Sequence, residues 1–170
     1  MVINASPLIY LAKINRLDLL TKVFDTIQIA PEVKRECIDA GKRKNYPDAY
    51  RIEKFLLEGR IRVHSLSKEA LVRAEELANL FKIDIGEAQS IILAKEKKEA
   101  QILVDQTHAR EAAKFMEIRP RGTLNIILTL VEHSLISTEE AIHLVNALIE
   151  SNFYISVKIY QKFLEFLKQK

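Results

Sequence analysis

Cysteine is almost missing from this sequence. Cys37 stands alone among 170 residues, so no disulfide can form within the chain and a reducing compartment is expected. Long apolar runs are missing too. Ile91–Ala94 and Ile126–Val131 fall far short of the roughly 20 residues that cross a bilayer. No basic stretch followed by an apolar one opens the chain, because Val2-Ile3-Asn4 runs straight into Ala5-Ser6-Pro7; this argues against a secretory leader. The expectation is a soluble, cytoplasmic protein with no membrane partner. No cysteine–histidine cluster suits zinc, and His64, His108, His133 and His143 are scattered. Charge of one sign is also lacking. With 26 basic and 23 acidic residues the net charge is +3, which alone neither demands nor excludes nucleic acid. Phosphate binding would need that charge gathered on one face.

What is present fits one domain with a substantial core: 170 residues, 48% of them hydrophobic. Val2-Ile3 reads as a buried strand. Ser6-Pro7 signals a helix start, and Leu8, Ile9, Leu11 and Ala12 follow at helical spacing. Asn15 breaks that helix from a second, carried by Leu17, Leu19, Leu20, Val23 and Phe24. Ile27–Ala30 alternates as a strand, and Pro31 opens a helix through Val33, Cys37 and Ile38 that Gly41 is expected to stop. A basic turn, Gly41–Asn45, leads to a helix over Pro47–Leu57 that ends at Gly59. Ile61 and Val63 form a third strand. Ser67 caps a helix reaching Phe81, and Asp84 precedes another through Ile91, Ile92 and Ala94. Ile102-Leu103-Val104 is a strand ending at Asp105; a helix through Ala109, Ala112, Ala113 and Met116 follows. Ile118 begins a short last strand before Gly122.

Strands separated by helices imply βαβ crossovers and a mainly parallel sheet flanked by helices. The tail differs. Leu124–Val131, the stretch after the capping box Ser137-Thr138-Glu139-Glu140, and Val157–Leu167 read as three helices with no strand between them. The expectation is an α/β domain over residues 1–122, with 123–170 a helical extension packed on it as one structural unit.

In a parallel α/β sheet, ligands sit beyond the carboxyl ends of the strands, which makes the polar residues there informative. Asn4 ends the first strand, with Ser6 two residues on; Asp105 ends the fourth, with Gln106 next to it. Glu36 and Glu87 come from the helical segments after Pro31 and Asp84. Gathered in one cleft, such oxygens suit a hard divalent cation, Mg²⁺ or Mn²⁺, which activates water and neutralises phosphoryl charge.

Four segments resemble the PIN-domain family in order and register: Val2–Ile9, Val33–Glu36, Gly86–Ile91 and Leu103–Arg110. The match is closer to a largely uncharacterised prokaryotic branch similar to the toxin nucleases of toxin–antitoxin pairs. Leu17-Asp18-Leu19-Leu20, the Gly122-Thr123-Leu124 turn and the helical tail carry it across almost the whole chain. The resemblance implies a three-layer α/β/α fold and a Mg²⁺-dependent endoribonuclease. It also implies a possible small antitoxin protein as partner besides RNA, and a homodimer. By position, Asn4 falls where most members have their first acid, Glu36 and Glu87 on the second and third, and Asp105-Gln106 where this branch often has an acid pair. Ser6 matches a hydroxyl that orients the first acid or a water. The departures are Asn4, which brings a carbonyl oxygen without charge, and Gln106, which removes one acid; both lower the expected metal affinity. The alternative is a weakened or inactive module that binds RNA or a protein.

Plainer readings exist residue by residue. Asn4 and Ser6 could cap the helix at Pro7, Asp84 and Glu87 could form a capping box, Asp105 could be an N-cap, and Glu36 could be solvated. Lys34, Arg35, Lys42, Arg43 and Lys44, with Arg110, could face RNA or simply face water. Tyr10, Tyr46 and Tyr50 could stack on bases, or Tyr10 could pack in an apolar interface.

Overall fold

The computed structural model describes residues 1–170. Five short strands, β1 (Val2–Ile3), β2 (Ile27–Ile29), β3 (Ile61–Val63), β4 (Gln101–Leu103) and β5 (Arg119–Arg121), align in the order β3-β2-β1-β4-β5. Every pairing is parallel. Branched apolar residues fill the central strands because helices cover them, and Val2, Ile3, Ile27, Ile29, Ile102 and Leu103 are all inaccessible to solvent. Pro120 sits in β5, at the sheet edge, where a missing N–H does not interrupt the ladder. The chain adds β2 and β3 on one side of β1, then returns to add β4 and β5 on the other. The boundary between β1 and β4 is therefore the switch point of the sheet, the place where open α/β folds bind ligands. Ile3 pairs with Leu103, and the Asn4 N–H donates to the Leu103 carbonyl at 3.0 Å. That bond sets the ends of the two strands side by side.

Helices α1 (Ala5–Lys13) and α2 (Asp18–Val23) are separated where expected: Asn15 adopts a left-handed φ of 56°, a conformation that asparagine tolerates better than most residues. After β2 the chain departs from expectation. Helix α3 (Pro31–Lys34), a π-helical turn (Arg35–Ala40) and α4 (Gly41–Arg43) form one unbroken helical stretch, so Gly41 does not stop the helix. Its φ of −65° is ordinary; its role is close approach. A β-carbon there would lie 2.7 Å from Ala49 Cβ in α5 (Pro47–Leu57), a contact that packed backbone cannot yield cheaply. Gly41→Ala should therefore destabilise the fold by about 1–2 kcal/mol, overpacking outweighing the gain in helix propensity. A urea titration reads this, and adding Ala49→Gly should recover most of the loss.

The remaining helices are α6 (Lys68–Phe81), α7 (Ile85–Glu96), α8 (Thr107–Phe115), α9 (Thr123–Glu132), α10 (Thr138–Glu150) and α11 (Val157–Leu167). Ser67, Ser137 and Ser156 cap α6, α10 and α11 through their hydroxyl oxygens. Helix α7 is buried from Gly86 to Ala94 and packs on β1 and β4, with α3, α6 and α8 around it. Elsewhere α1 packs on α5, α2 on α9, and α9 on α10, completing a three-layer α/β/α arrangement. One apolar cluster runs from Val2 to Leu167 and takes in Ile127 and Leu130 of α9, Leu144 and Leu148 of α10, and Phe163 of α11. The helical tail thus shares the core of the sheet. No helix is long and apolar enough to cross a membrane.

Candidate active site

Beyond the ends of β1 and β4 lies a cavity of about 270 Å³. Asn4, Ser6, Glu36, Glu87 and Gln106 line it, together with Asp84, Tyr10 and Lys13. Glu36 arrives through the π-helical turn, a local widening common at functional sites. Gln89 of α7 accepts the Glu32 N–H at 3.2 Å, tying the start of α3 to α7. The Glu36 carboxyl then rests on Gly86: a β-carbon at Gly86 would collide with Glu36 Oε1 and stand 3.1 Å from its Cδ. Glycine at this place makes room for the first acid, and the next residue supplies the second.

Glu87 is 5% exposed. Its Oε2 accepts the Asp84 N–H at 3.2 Å, half of the capping arrangement that the Asp84–Glu87 spacing suggested. Its Oε1 is buried and has no hydrogen-bond partner. Capping therefore accounts for one oxygen only. Burial pushes the Glu87 carboxyl above its ordinary range, against the pull of the Asp84 amide. Burial likewise raises Glu36, to about 7, reinforced by the charges of Glu32, Asp84 and Glu87 and opposed by Arg35. The cavity concentrates three acids, Glu36, Asp84 and Glu87, against one lysine, Lys13.

Asn4 makes no side-chain cap bond to α1. It is 3% exposed and its Oδ1 lies 3.3 Å from Ser90 Oγ, whose hydroxyl also reaches the Gly86 carbonyl at 2.7 Å. A serine has one proton to give, and the shorter contact takes it.

Asp105, expected in one cleft with Glu36 and Glu87, lines the adjoining cavity, next to Gln106 of the acidic one. Its Oδ1 accepts the Thr123 N–H and its Oδ2 the Thr123 hydroxyl, both at 2.7 Å. The reason is the turn into α9, where Thr123 presents both donors and Gly122 leaves space, a β-carbon there standing 3.0 Å from Asp105 Oδ1. Nor is Asp105 an N-cap, a position held by Gln106. Burial raises its carboxyl, with Thr123, Arg110 and the nearby Ser6 hydroxyl opposing. No three acid, histidine or cysteine side chains form a ready ligand cage.

The basic residues are mostly spoken for. Lys34 pairs with Asp39 at 2.9 Å, Arg35 with Glu32, and Lys42 with Glu53 at 2.6 Å. Arg110 donates to the Val104 carbonyl at 3.1 Å. Arg43 and Lys44 are exposed without a carboxylate partner, as are Lys13 and Lys162. Of the six proposed for RNA, none lines the acidic cavity. Lys13 does, and sequence reasoning missed it. The signal existed: Ser6, Ile9, Tyr10 and Lys13 fall at helical spacing on one face of α1, and all line the cavity. Asp84 was read only as a helix start. Tyr10 packs, its ring edge-on to Phe153 at 5.0 Å and its hydroxyl donating to the Asn152 carbonyl at 3.1 Å.

No curated protein matches the sequence. The family model DUF3368, described as a PIN domain, matches residues 1–169, and the parallel sheet with acids at its switch point agrees with that match. The chain belongs to the PIN-domain family.

Proposed function

We propose that this chain is a divalent-cation-dependent endoribonuclease and, following the family resemblance, the toxin member of a toxin–antitoxin pair. The observation that carries the reading is Glu87 Oε1, a buried anionic oxygen without a partner, beside a Glu36 carboxyl that Gly86 was needed to admit. Three carboxylates, two amides and two hydroxyls, with no thiol or imidazole among the lining residues, fit Mg²⁺ or Mn²⁺. When bound, such an ion neutralises phosphoryl charge and acidifies water. Glu36 and Glu87 would hold it. Asn4 would contribute its carbonyl oxygen by turning its amide over, so that Nδ2 donates to Ser90 Oγ while Ser90 keeps its bond to Gly86. Ser6 orients the attacking water, and Lys13 holds a phosphate oxygen. Asp105 acts indirectly, fixing Thr123 and the Ser6 hydroxyl.

The test is cleavage of a single-stranded RNA in Mn²⁺ or Mg²⁺, with chelator as the control. Glu87→Gln should lower the rate about 100-fold or more by removing an ionic ligand, and should leave the fold intact, since the amide relieves a buried charge. In the same assay Asn4→Asp should raise Mn²⁺ affinity about tenfold, the added charge giving the ion a further anionic ligand. Cleavage that survives Glu87→Gln or chelation counts against the nuclease reading. The uncharged Asn4 and the diverted Asp105 favour one second reading, an inactive module that binds RNA without cutting it. That reading predicts no cation-dependent cleavage in any variant but Asn4→Asp.

A further inference from the structure

A second and larger cavity, about 630 Å³, opens beside the first. The start of α9, the segment Phe153–Ser156 and helix α11 enclose it, and Asp105, Arg110 and Lys162 lie at its polar side. We propose that this groove is a nucleotide subsite that receives an unstacked base, next to the scissile phosphodiester, of a single-stranded RNA. The proposal rests on the nuclease reading of the acidic cavity and names the substrate's conformation and a contact that the acids do not supply.

Four observations carry it. The groove lies within the range of small-ligand pockets, roughly 300–1,000 Å³. Its floor and rim are aromatic: Phe163 is buried, Phe166 is half-buried, and Tyr154 is 87% exposed. An aromatic ring that open to water has no packing role within this chain, whereas base faces stack on such rings regardless of sequence. The charge at the mouth suits phosphate. Lys162 has no carboxylate partner, and the charge of Asp105 in the lining is offset by Arg110.

The fourth observation is adjacency. Tyr10 lines the acidic cavity and Phe153 the groove, and their rings touch edge to face at 5.0 Å. Ser6 lines the first cavity and Asp105 the second. The two cavities therefore share a partition of paired side chains, Tyr10 against Phe153. A strand whose phosphate rests against Lys13 at the acids can turn the neighbouring base over that partition. A paired base is stacked and cannot do so, which selects single strands.

The experiment is anisotropy titration of a fluorescein-labelled single-stranded RNA hexamer in chelator, so that neither the cation nor cleavage enters. Tyr154→Ala should weaken binding about tenfold, within the range that base–aromatic stacking spans; its exposure makes misfolding an unlikely confounder, and circular dichroism checks that. In a series of hexamers carrying one abasic nucleotide, the effect of Tyr154→Ala should vanish at one position. Lys162→Ala should reduce the slope of log affinity against log salt by about 0.7, one phosphate contact on a single strand. Wild-type affinity in Tyr154→Ala, an equal loss across the abasic series, or no RNA binding at all overturns the subsite, and would leave the groove to a peptide partner. The two proposals separate cleanly. Cleavage that depends on Glu87 with Tyr154 irrelevant removes the subsite alone. RNA held through Tyr154 but never cut removes the nuclease reading and keeps the subsite.

Discussion

Gly86→Ala is expected to lower Mn²⁺ affinity by about 10- to 100-fold, the range for losing a group that positions a ligand, and RNA cleavage should fall with it. Stability should stay level or rise. The new β-carbon would occupy the space of Glu36 Oε1, and the atom that must yield is the far end of a flexible side chain, so the displacement costs the fold little. The backbone gains, because alanine is favoured over glycine in a helix by about 1 kcal/mol. Glu36 swings away from Glu87 and the pair is broken without altering either acid. Isothermal titration with Mn²⁺ and a urea titration on the same preparation read the two effects. A variant that binds Mn²⁺ normally would mean that Glu36 is no ligand. A variant that loses affinity by unfolding would mean that Gly86 serves packing alone.

Much of this architecture could be read from the residues. Four strands announced themselves by two to four apolar residues and β5 only by Ile118 just before it, and serines marked the helix starts at Ser67 and Ser137, where their hydroxyls indeed accept amide protons. Gly41 misled because glycine has two uses, the left-handed stop and the close contact, and composition does not say which applies. Only Ala49, eight residues on and folded back against it, decides. Gly59 and Asn15 did take the left-handed conformation where a helix was expected to end, and the other left-handed stops fell to Asn45, Lys82, Lys98, Glu117, Ser134 and Asn152, residues that carry weaker signals. At the site, Glu36 and Glu87 were legible from motif, but the π-helical turn that delivers Glu36 was not, since no residue pattern distinguishes it from ordinary helix. Asp105 was placed correctly at the end of β4, yet its partner is Thr123, 18 residues away. A carboxylate goes to the best donors within reach, and the sequence does not say where those donors will lie.

Without divalent cations, the protein should lose stability as pH rises from about 4.5 to about 7. Glu36 is one cause, its carboxyl being raised from an ordinary 4.5 to about 7 by burial and by neighbouring acids. The fold prefers Glu36 protonated, so below pH 4.5 folded and unfolded states carry the same proton and no penalty applies. Between the two values the unfolded chain releases it while the folded chain retains it, and stability falls until Glu36 ionises in both. A shift of this size corresponds to about 3 kcal/mol at full weight; since Glu36 is only half-buried, solvent screening reduces it to about 1–2 kcal/mol. Glu87 and Asp105, also raised by burial, add to the slope in the same direction, so the informative quantity is a difference. Urea titrations at pH 5 and pH 8 in chelator should show the wild type losing more stability than Glu36→Gln, by about that amount. Mn²⁺ added at pH 8 should restore the wild type and leave Glu36→Gln nearly unmoved, because the cation offsets the excess of acids over the single Lys13 in the cavity. If the two proteins follow the same pH course, Glu36 is solvated in solution. If Mn²⁺ stabilises both equally, the ion binds elsewhere.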